Sequence, residues 1–226
     1  MRSCFNHPTI KESYFLSGAR YARIKVVPSS RNDRITFGPA KLVDHWPSLV
    51  KCGFDSVDAI LPVPGYDKEI YVFSGLQYAR IKVIPETSDD TVVYGPAKIT
   101  DQWPSLAKAG FDRVDTCMPV PGEGNESEAY FFRGENYVRV KVVPGSNNDS
   151  IRFGPAKIAD HWPSLVKAKF DVVDAILPVP GYDGLAYFFR GNRYARIKVI
   201  PSTQKDEIDF GPAAIAAEWP SLSWDW

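Results

Sequence analysis

The sequence predicts an all-β protein, a four-bladed β-propeller of four-stranded antiparallel blades, each followed by a short helix. The phrase Trp-Pro-Ser-Leu occurs four times at a period of 57 to 59 residues, each time after a Gly-Pro-Ala phrase. Every period also carries short aromatic and β-branched runs between turn residues, which is typical of hairpins. The first and last copies resemble the middle ones, which favours a closed ring over a solenoid with capping units. The repeat tryptophans are Trp46, Trp103, Trp162 and Trp219.

The third unit gives the predicted elements in order. Aromatic and β-branched runs that end in Pro-Gly, Gly-Glu-Asn or Gly-Pro turns predict four strands. These strands cover 114–120, 129–134, 137–144 and 150–153. A short helix follows over 156–163, because Pro163 is tolerated only near a helix terminus. The whole chain, 1–226, is then one domain with blades at approximately 1–50, 51–107, 108–166 and 167–226.

Composition limits the classes of function. Basic and acidic residues number 27 each, so no net charge attracts nucleic acid or an anionic membrane, and we expect neither as a partner. No apolar run approaches the ~20 residues of a membrane span, and the N-terminus lacks the apolar core of a signal peptide. A cytoplasmic location is therefore expected. The three cysteines have no metal-ligand spacing and are predicted to be buried free thiols.

The tryptophan phrase belongs to a longer pattern. The phrase at 46–49 is followed by Phe-Asp-Ser-Val-Asp-Ala-Ile at 54–60 and by Tyr-Val-Phe-Ser-Gly at 71–75. This succession resembles the hemopexin repeat, and it recurs after Trp103 and Trp162. Four such repeats, with the phrases Tyr-x-Arg-x-Lys-Val and Phe-Gly-Pro-Ala, are similar to the plant seed albumin-2 group of hemopexin-fold proteins. The resemblance covers essentially the whole chain.

The innermost strands of such a ring line a central channel. Carbonyl groups of residues i and i+2 point the same way along a strand, and converging carbonyls suit a hard cation such as Ca²⁺ or Na⁺. The first ring of carbonyls, which the resemblance also implies, belongs to Arg2, Asp58, Asp115 and Asp174. A second layer, suited to an anion such as chloride or to another cation, involves Cys4, Ile60, Cys117 and Ile176. The alternative is that the aspartate side chains only cap turns or pair with Arg and Lys.

An Arg-x-Lys stripe recurs in every unit. One interpretation is an anion-binding ring for haem propionates or acidic glycans. The other is internal pairing with recurrent aspartates, and we prefer it because a feature that every blade carries is typically structural. The arginines are Arg23, Arg80, Arg139 and Arg196, and the candidate partners are Asp44, Asp101 and Asp160 or Asp55, Asp112 and Asp171.

Tryptophans and histidines are the remaining candidate residues. The repeat tryptophans are predicted to pack between helix and sheet, whereas Trp224 and Trp226 break the repeat and indicate ring closure or a dimer contact. His45 and His161 precede two repeat tryptophans and are candidate haem ligands, since imidazole ligates haem iron. A hydrogen-bonding role at the helix end is the alternative. Half a ring separates the two, so they would not bracket one haem within one chain.

No motif of enzyme chemistry is present, neither a phosphate loop, HExxH, GxSxG nor a Cys/His pair, so we expect no catalysis. The resemblance implies an albumin-like protein that binds small ligands, with haem and the polyamine spermine as candidates. It also implies a homodimer and is compatible with a storage or stress-related role. One alternative is a lectin of hemopexin fold, for which the residues to test are Tyr66, Tyr182, Asn125 and Asn147. A storage protein without a ligand is the other.

Overall fold

Four separate four-stranded antiparallel sheets form the blades of a propeller, as the repeat predicts. The structure is a computed structural model that describes residues 3–7 and 11–225, without the side chain of Asp225. Each sheet consists of four consecutive strands, with the first strand innermost and the fourth outermost.

The strands of each blade follow in chain order. The first blade contains β1 (Ser3–Asn6), β2 (Ser13–Ser17), β3 (Arg20–Lys25) and β4 (Arg34–Lys41). The second contains β5 (Ala59–Pro62), β6 (Glu69–Ser74), β7 (Gln77–Lys82) and β8 (Thr91–Lys98). The third contains β9 (Thr116–Pro119), β10 (Glu128–Arg133), β11 (Asn136–Lys141) and β12 (Ser150–Lys157). The fourth contains β13 (Ala175–Pro178), β14 (Leu185–Arg190), β15 (Arg193–Lys198) and β16 (Glu207–Ala214).

Two short helices follow each outer strand, and the repeat tryptophan lies between them. The pairs are α1 (Leu42–His45) with α2 (Pro47–Cys52), α3 (Ile99–Gln102) with α4 (Pro104–Lys108), and α5 (Ile158–His161) with α6 (Pro163–Ala168). The last blade has α7 (Ile215–Glu218) and a 3₁₀ helix, Pro220–Asp225. The single helix predicted over 156–163 is thus two helices, because Pro163 begins the second instead of ending the first.

The outer strands are also longer than the sequence predicts. The prediction ended the fourth strand of the third blade at residue 153, but β12 continues to Lys157. Its pairing with β11 shifts register between Tyr137 and Val140, so a bulge absorbs the Gly-Pro phrase and the ladder resumes beyond it.

The hydrophobic core lies at the four interfaces between blades. Three repeat tryptophans, Trp103, Trp162 and Trp219, each pack against a phenylalanine of their own blade and one of the next blade. Trp162 contacts Phe132 and Phe188 at centroid distances of 5.6 and 5.7 Å. The same contact joins the last blade to the first, where Trp219 meets Phe15 at 5.8 Å. Packing of the tryptophans is confirmed, and it joins neighbouring blades as well as helix and sheet.

A second contact joins the blades, here called the blade clamp. An aspartate before each outer strand accepts a hydrogen bond from the N–H of the second residue of the helix in the preceding blade. The pairs are Ser48 with Asp90 at 2.8 Å, Ser105 with Asp149 at 2.8 Å, Ser164 with Asp206 at 2.9 Å and Ser221 with Asp33 at 3.1 Å. Helix N-termini need such acceptors, and each comes here from another blade.

Closure of the ring uses side chains and packing. Asn6 donates to the carbonyl oxygen of Pro178 at 2.7 Å, and Arg31 forms two hydrogen bonds to Glu218, at 3.0 and 2.7 Å. Trp224 packs into the core between the first and last blades, while Trp226 lies outside the described residues. In the part of the chain that the structure describes, no ladder joins these blades, because each sheet is complete with four consecutive strands.

The inner strands close around an axis. β1 and β9 each contact both β5 and β13, so the four strands form a continuous ring. Each is the edge strand of its sheet and turns its unpaired edge inward. Among the described residues, no helix has the length and apolar character of a membrane span.

Candidate functional site

The aspartates that precede the inner strands bind the hairpin turns of their own blades. Their Oδ2 atoms accept hydrogen bonds from glycine N–H groups: Asp58 from Gly75 at 2.8 Å, Asp115 from Gly134 at 2.6 Å and Asp174 from Gly191 at 2.6 Å. Asp174 also pairs with Arg190 at 3.1 Å. The side chains therefore follow the turn-capping alternative, which leaves backbone carbonyls as the candidate ligands. Arg2, the fourth member of the predicted ring, lies outside the described residues.

The side chains of the second predicted layer are buried and uncharged. Cys4, Ile60, Cys117 and Ile176 each belong to a different core cluster between blades. Burial raises the pKa of the Cys4 and Cys117 thiols, so neither supplies a thiolate at neutral pH. Across the described residues, no three His, Cys, Asp or Glu side chains are arranged to hold a metal ion. An ion at this level would have to be held by backbone groups.

The arginine stripe is paired within the blades, but not with the predicted aspartates. Three of the arginines face a glutamate on the neighbouring strand or, for Glu12, immediately before it, and the fourth faces an aspartate on the outer strand. The pairs are Arg23 with Glu12 at 3.7 Å, Arg139 with Glu128 at 2.5 Å, Arg80 with Glu69, and Arg196 with Asp209. The antiparallel register makes each glutamate a diagonal neighbour of its arginine. The helix aspartates Asp44, Asp101 and Asp160 are instead exposed.

Four equivalent cavities, here called the inter-blade cavities, open between neighbouring blades. Two strand tyrosines and the repeat tryptophan form one wall, the stripe arginine lies at its edge, and the loop before the outer strand of the next blade forms the other wall. Their volumes are about 390 Å³ between the third and fourth blades, 280 Å³ between the second and third, and 230 Å³ at each other interface. Burial raises the pKa of Tyr21, Tyr71 and Tyr194 to about 12, so their hydroxyls stay neutral.

The two candidate haem ligands lie in different inter-blade cavities. His45 lies edge-on to Phe37 at 5.1 Å, and His161 lies edge-on to Phe153 at 4.9 Å. His161 Nδ1 is also 3.1 Å from the Gln204 amide nitrogen of the next blade. The structure therefore places both at helix ends, on opposite blades, and does not bring them together.

Comparison with known proteins finds seed albumins that match the whole chain. The chain is 24% identical to albumin-2 from Pisum sativum and 25% identical to albumin-2 from Lathyrus sativus, each over 222 residues that cover 98% of the chain and at least 94% of the relative. A seed albumin from Lathyrus sativus superposes with a TM-score of 0.86 at 27% identity, covering 100% of this chain and 96% of the other. A hemopexin-fold protein from cow pea gives 0.87 at 26%, covering 99% and 97%. Over its whole length, the chain is therefore similar to the plant albumin-2 proteins.

Two solved structures of plant proteins with binding properties also resemble this chain. Both come from Cicer arietinum: a plant lectin with two metal binding sites and a plant albumin showing hemagglutination. Each is 26% identical and covers 98% of this chain and 96% of its own, with TM-scores of 0.86 and 0.87. No protein-family model matches the chain.

The lectin hypothesis named four residues, and the structure presents them differently. Tyr66 and Tyr182 are 46% and 55% exposed, and Asn147 is exposed at an inter-blade cavity. The Asn125 amide instead accepts from Arg139 at 2.8 Å and donates to the Pro121 carbonyl at 2.9 Å. The Asn125 side chain therefore stabilises the conformation of its own loop.

Sequence reasoning missed the inter-blade cavities as sites. The tyrosines, the tryptophan and the arginine of each cavity recur in all four units and so resemble scaffold. The available signal was the variation at matched positions, such as Gly145 where another unit has Ser202.

Proposed function

We propose that this protein is a non-enzymatic binding protein that holds a hard cation, Ca²⁺ or Na⁺, in its central channel. The observation that carries the proposal is the closed ring of inner edge strands, each with one unpaired edge toward the axis. Backbone carbonyls on such edges need partners, and oxygen ligands suit these cations. The ring would use the carbonyls of Arg2, Asp58, Asp115 and Asp174. The lectin from Cicer arietinum with two metal binding sites supports it.

A second ion, chloride or another cation, is proposed at the level of Cys4, Ile60, Cys117 and Ile176. Because the side chains there are buried and apolar or neutral, its ligands would be backbone N–H or C=O groups. The three buried free thiols support the proposed cytoplasmic location, where thiols remain reduced.

Removing the channel cation is expected to destabilise the protein. Calcium at 100 times its dissociation constant adds about 2.7 kcal/mol to stability, which corresponds to about 5–10 °C in Tm for a chain of this size. Calorimetry of protein dialysed against EDTA, before and after calcium or sodium is restored, measures the shift, and elemental analysis gives the stoichiometry.

The variant Asp115→Asn separates carbonyl ligands from carboxylate ligands. It keeps the backbone carbonyl and an oxygen that can accept from Gly134, so cation affinity should change less than twofold. A large loss of affinity in this variant would mean that the carboxylate binds the ion. No Tm shift and no bound cation in the parent protein would refute the channel site.

Small-ligand binding is the second part of the proposal. Haem is proposed for the cavity between the third and fourth blades, because it is the largest of the four inter-blade cavities and has His161 and the half-exposed Arg152 in its lining. Spermine is proposed for the channel mouth, where Asp58, Asp115 and Asp174 precede the inner strands. The homodimer implied by the family resemblance would respond to the ligand.

Haemin titration tests this part. A saturable Soret shift is expected, weakened about tenfold by His161→Ala and unchanged by the matched variant His45→Ala, because only the larger cavity is proposed to hold haem. Size-exclusion chromatography with and without spermine measures the oligomeric state. If no saturable Soret shift and no spermine-dependent change occur, both ligands are ruled out.

Carbohydrate binding is the second candidate. The Cicer arietinum albumin that shows hemagglutination and the exposed rings of Tyr66 and Tyr182 favour it. A glycan array decides it, with Tyr182→Ala as the variant that should lose signal and Asn125→Asp as a control outside the exposed surface. Without saturable binding in any of these assays, storage is the function that remains.

A further inference from the structure

The inter-blade cavity between the second and third blades differs from its three equivalents at the stripe arginine. In the other three, the Nη1 atom of the arginine faces an oxygen of the next blade. These contacts are Arg139 with Ser202 at 2.6 Å, Arg196 with Ser29 at 2.7 Å and Arg23 with Glu86 at 3.8 Å. Opposite Arg80 stands Gly145, whose Cβ, if present, would lie 3.9 Å from Nη1. Residue 145 therefore supplies no side-chain oxygen to Arg80.

Two buried polar atoms of this cavity lack a hydrogen-bond partner among the described residues, whereas Arg80 itself pairs with Glu69. Trp103 is only 4% exposed, and its Nε1–H has no acceptor. Asp149 uses Oδ2 in the blade clamp with Ser105, but its buried Oδ1 accepts nothing. Both residues line the cavity. A buried donor and a buried acceptor without partners cost free energy, which a ligand that pairs with both would recover.

The walls of the cavity are aromatic, and the enclosed space has room for about one aromatic ring. Tyr71 and Tyr78 pack edge-on to Trp103 at centroid distances of 5.1 and 5.7 Å, and Tyr94 forms the exposed rim. The volume of about 280 Å³ is at the lower end for ligand cavities. A flat apolar ring fits these walls better than a flexible chain.

We propose that this cavity binds a small phenolic ligand, an aromatic ring that carries one or two hydroxyl groups. The ring lies against the tyrosines, a hydroxyl oxygen accepts from Trp103 Nε1–H and the Arg80 guanidinium, and a hydroxyl hydrogen is donated to Asp149 Oδ1. A monosaccharide fits less well, because it brings about five hydroxyl groups, each of which needs a partner when it leaves water. This site is independent of the channel cation and of haem.

Catechol is the probe, and the indole N–H signals of the six tryptophans are the readout in ¹H–¹⁵N correlation spectra. Trp103→Phe identifies the Trp103 signal by its loss. Catechol should shift this signal saturably and leave those of Trp46 and Trp219 in place. Trp103→Phe should also weaken binding about fivefold, the effect of one hydrogen bond, while Trp162→Phe in the neighbouring cavity should not weaken it.

Gly145→Ser is the decisive variant. The equivalent residues Ser29, Glu86 and Ser202 already adopt φ of 61°, 63° and 60°, so serine suits the φ of 75° at Gly145. Its hydroxyl gives Arg80 the oxygen that the other cavities supply, and catechol should bind at least tenfold more weakly to an otherwise unchanged protein. Unchanged affinity in this variant, no saturable shift in the parent protein, or a shift with methyl α-glucoside but not catechol would overturn the proposal.

Discussion

Glu128→Leu is expected to destabilise the protein by about 3 kcal/mol, and adding Arg152→Asp is expected to recover most of that loss. Glu128 receives two guanidinium groups, from Arg139 at 2.5 Å and Arg152 at 3.2 Å. The side chains of Arg139 and Glu128 are only 10% and 13% exposed. Removing the carboxylate therefore leaves a buried charge without its partner, which costs more than the pair itself contributes.

The fourth blade already contains the compensated arrangement. Leu185 occupies the position of Glu128, Asp209 occupies that of Arg152, and Asp209 pairs with Arg196. The double variant copies this solution into the third blade. Urea denaturation of the parent, both single variants and the double variant gives the coupling free energy. If the double variant is no more stable than Glu128→Leu alone, the two acidic positions are not interchangeable and the explanation fails.

Gly154→Ala is expected to cost about 3 kcal/mol or more, because it combines an unfavourable backbone conformation with a steric clash. Gly154 has a φ of +89°, and a Cβ there would lie 2.9 Å from the Tyr137 carbonyl oxygen and 3.1 Å from the Ala156 nitrogen. Both are backbone atoms within the ladder of β11 and β12, so neither moves without disturbing the sheet.

Gly134→Ala is the matched control. Gly134 has a φ of +53° and open space around an added Cβ. Alanine there should therefore lower the free energy of unfolding by only about 1 kcal/mol. Thermal and urea unfolding of both variants give the comparison. Equal losses at the two positions would show that backbone conformation alone, and not the close approach to β11, requires glycine in the Gly-Pro-Ala phrase.

Most features confined to one unit were predictable from the sequence, but the partners of the arginines were not. The four strands and the packing role of the repeat tryptophans follow from local runs and their period. Turn capping by the Asp58 side chain is the alternative that the sequence analysis weighed against a cation site in the channel. The arginine partners were wrongly predicted because Glu12, Glu69 and Glu128 have no counterpart in the fourth unit. There Leu185 occupies the position of the glutamate, and Asp209 pairs with the arginine instead.

Features formed between units could not be predicted from one repeat. The blade clamp joins Asp90 to Ser48, which is 42 residues earlier in the chain, and no local pattern links them. The inter-blade cavities likewise take one wall from each of two blades. Their differences rest on single positions such as Gly145, whose importance depends on an arginine in another unit.

The blade clamp has a direction around the ring. The aspartate of each blade caps the helix of the blade before it, and the helix of each blade is capped by the aspartate of the blade after it. An isolated blade would therefore carry one unpaired carboxylate and one uncapped helix. Only the complete cycle satisfies both. The architecture is therefore compatible with circular permutation, since new termini in a surface turn would keep all four clamps, whereas tandem gain or loss of one blade would require a ring of different curvature.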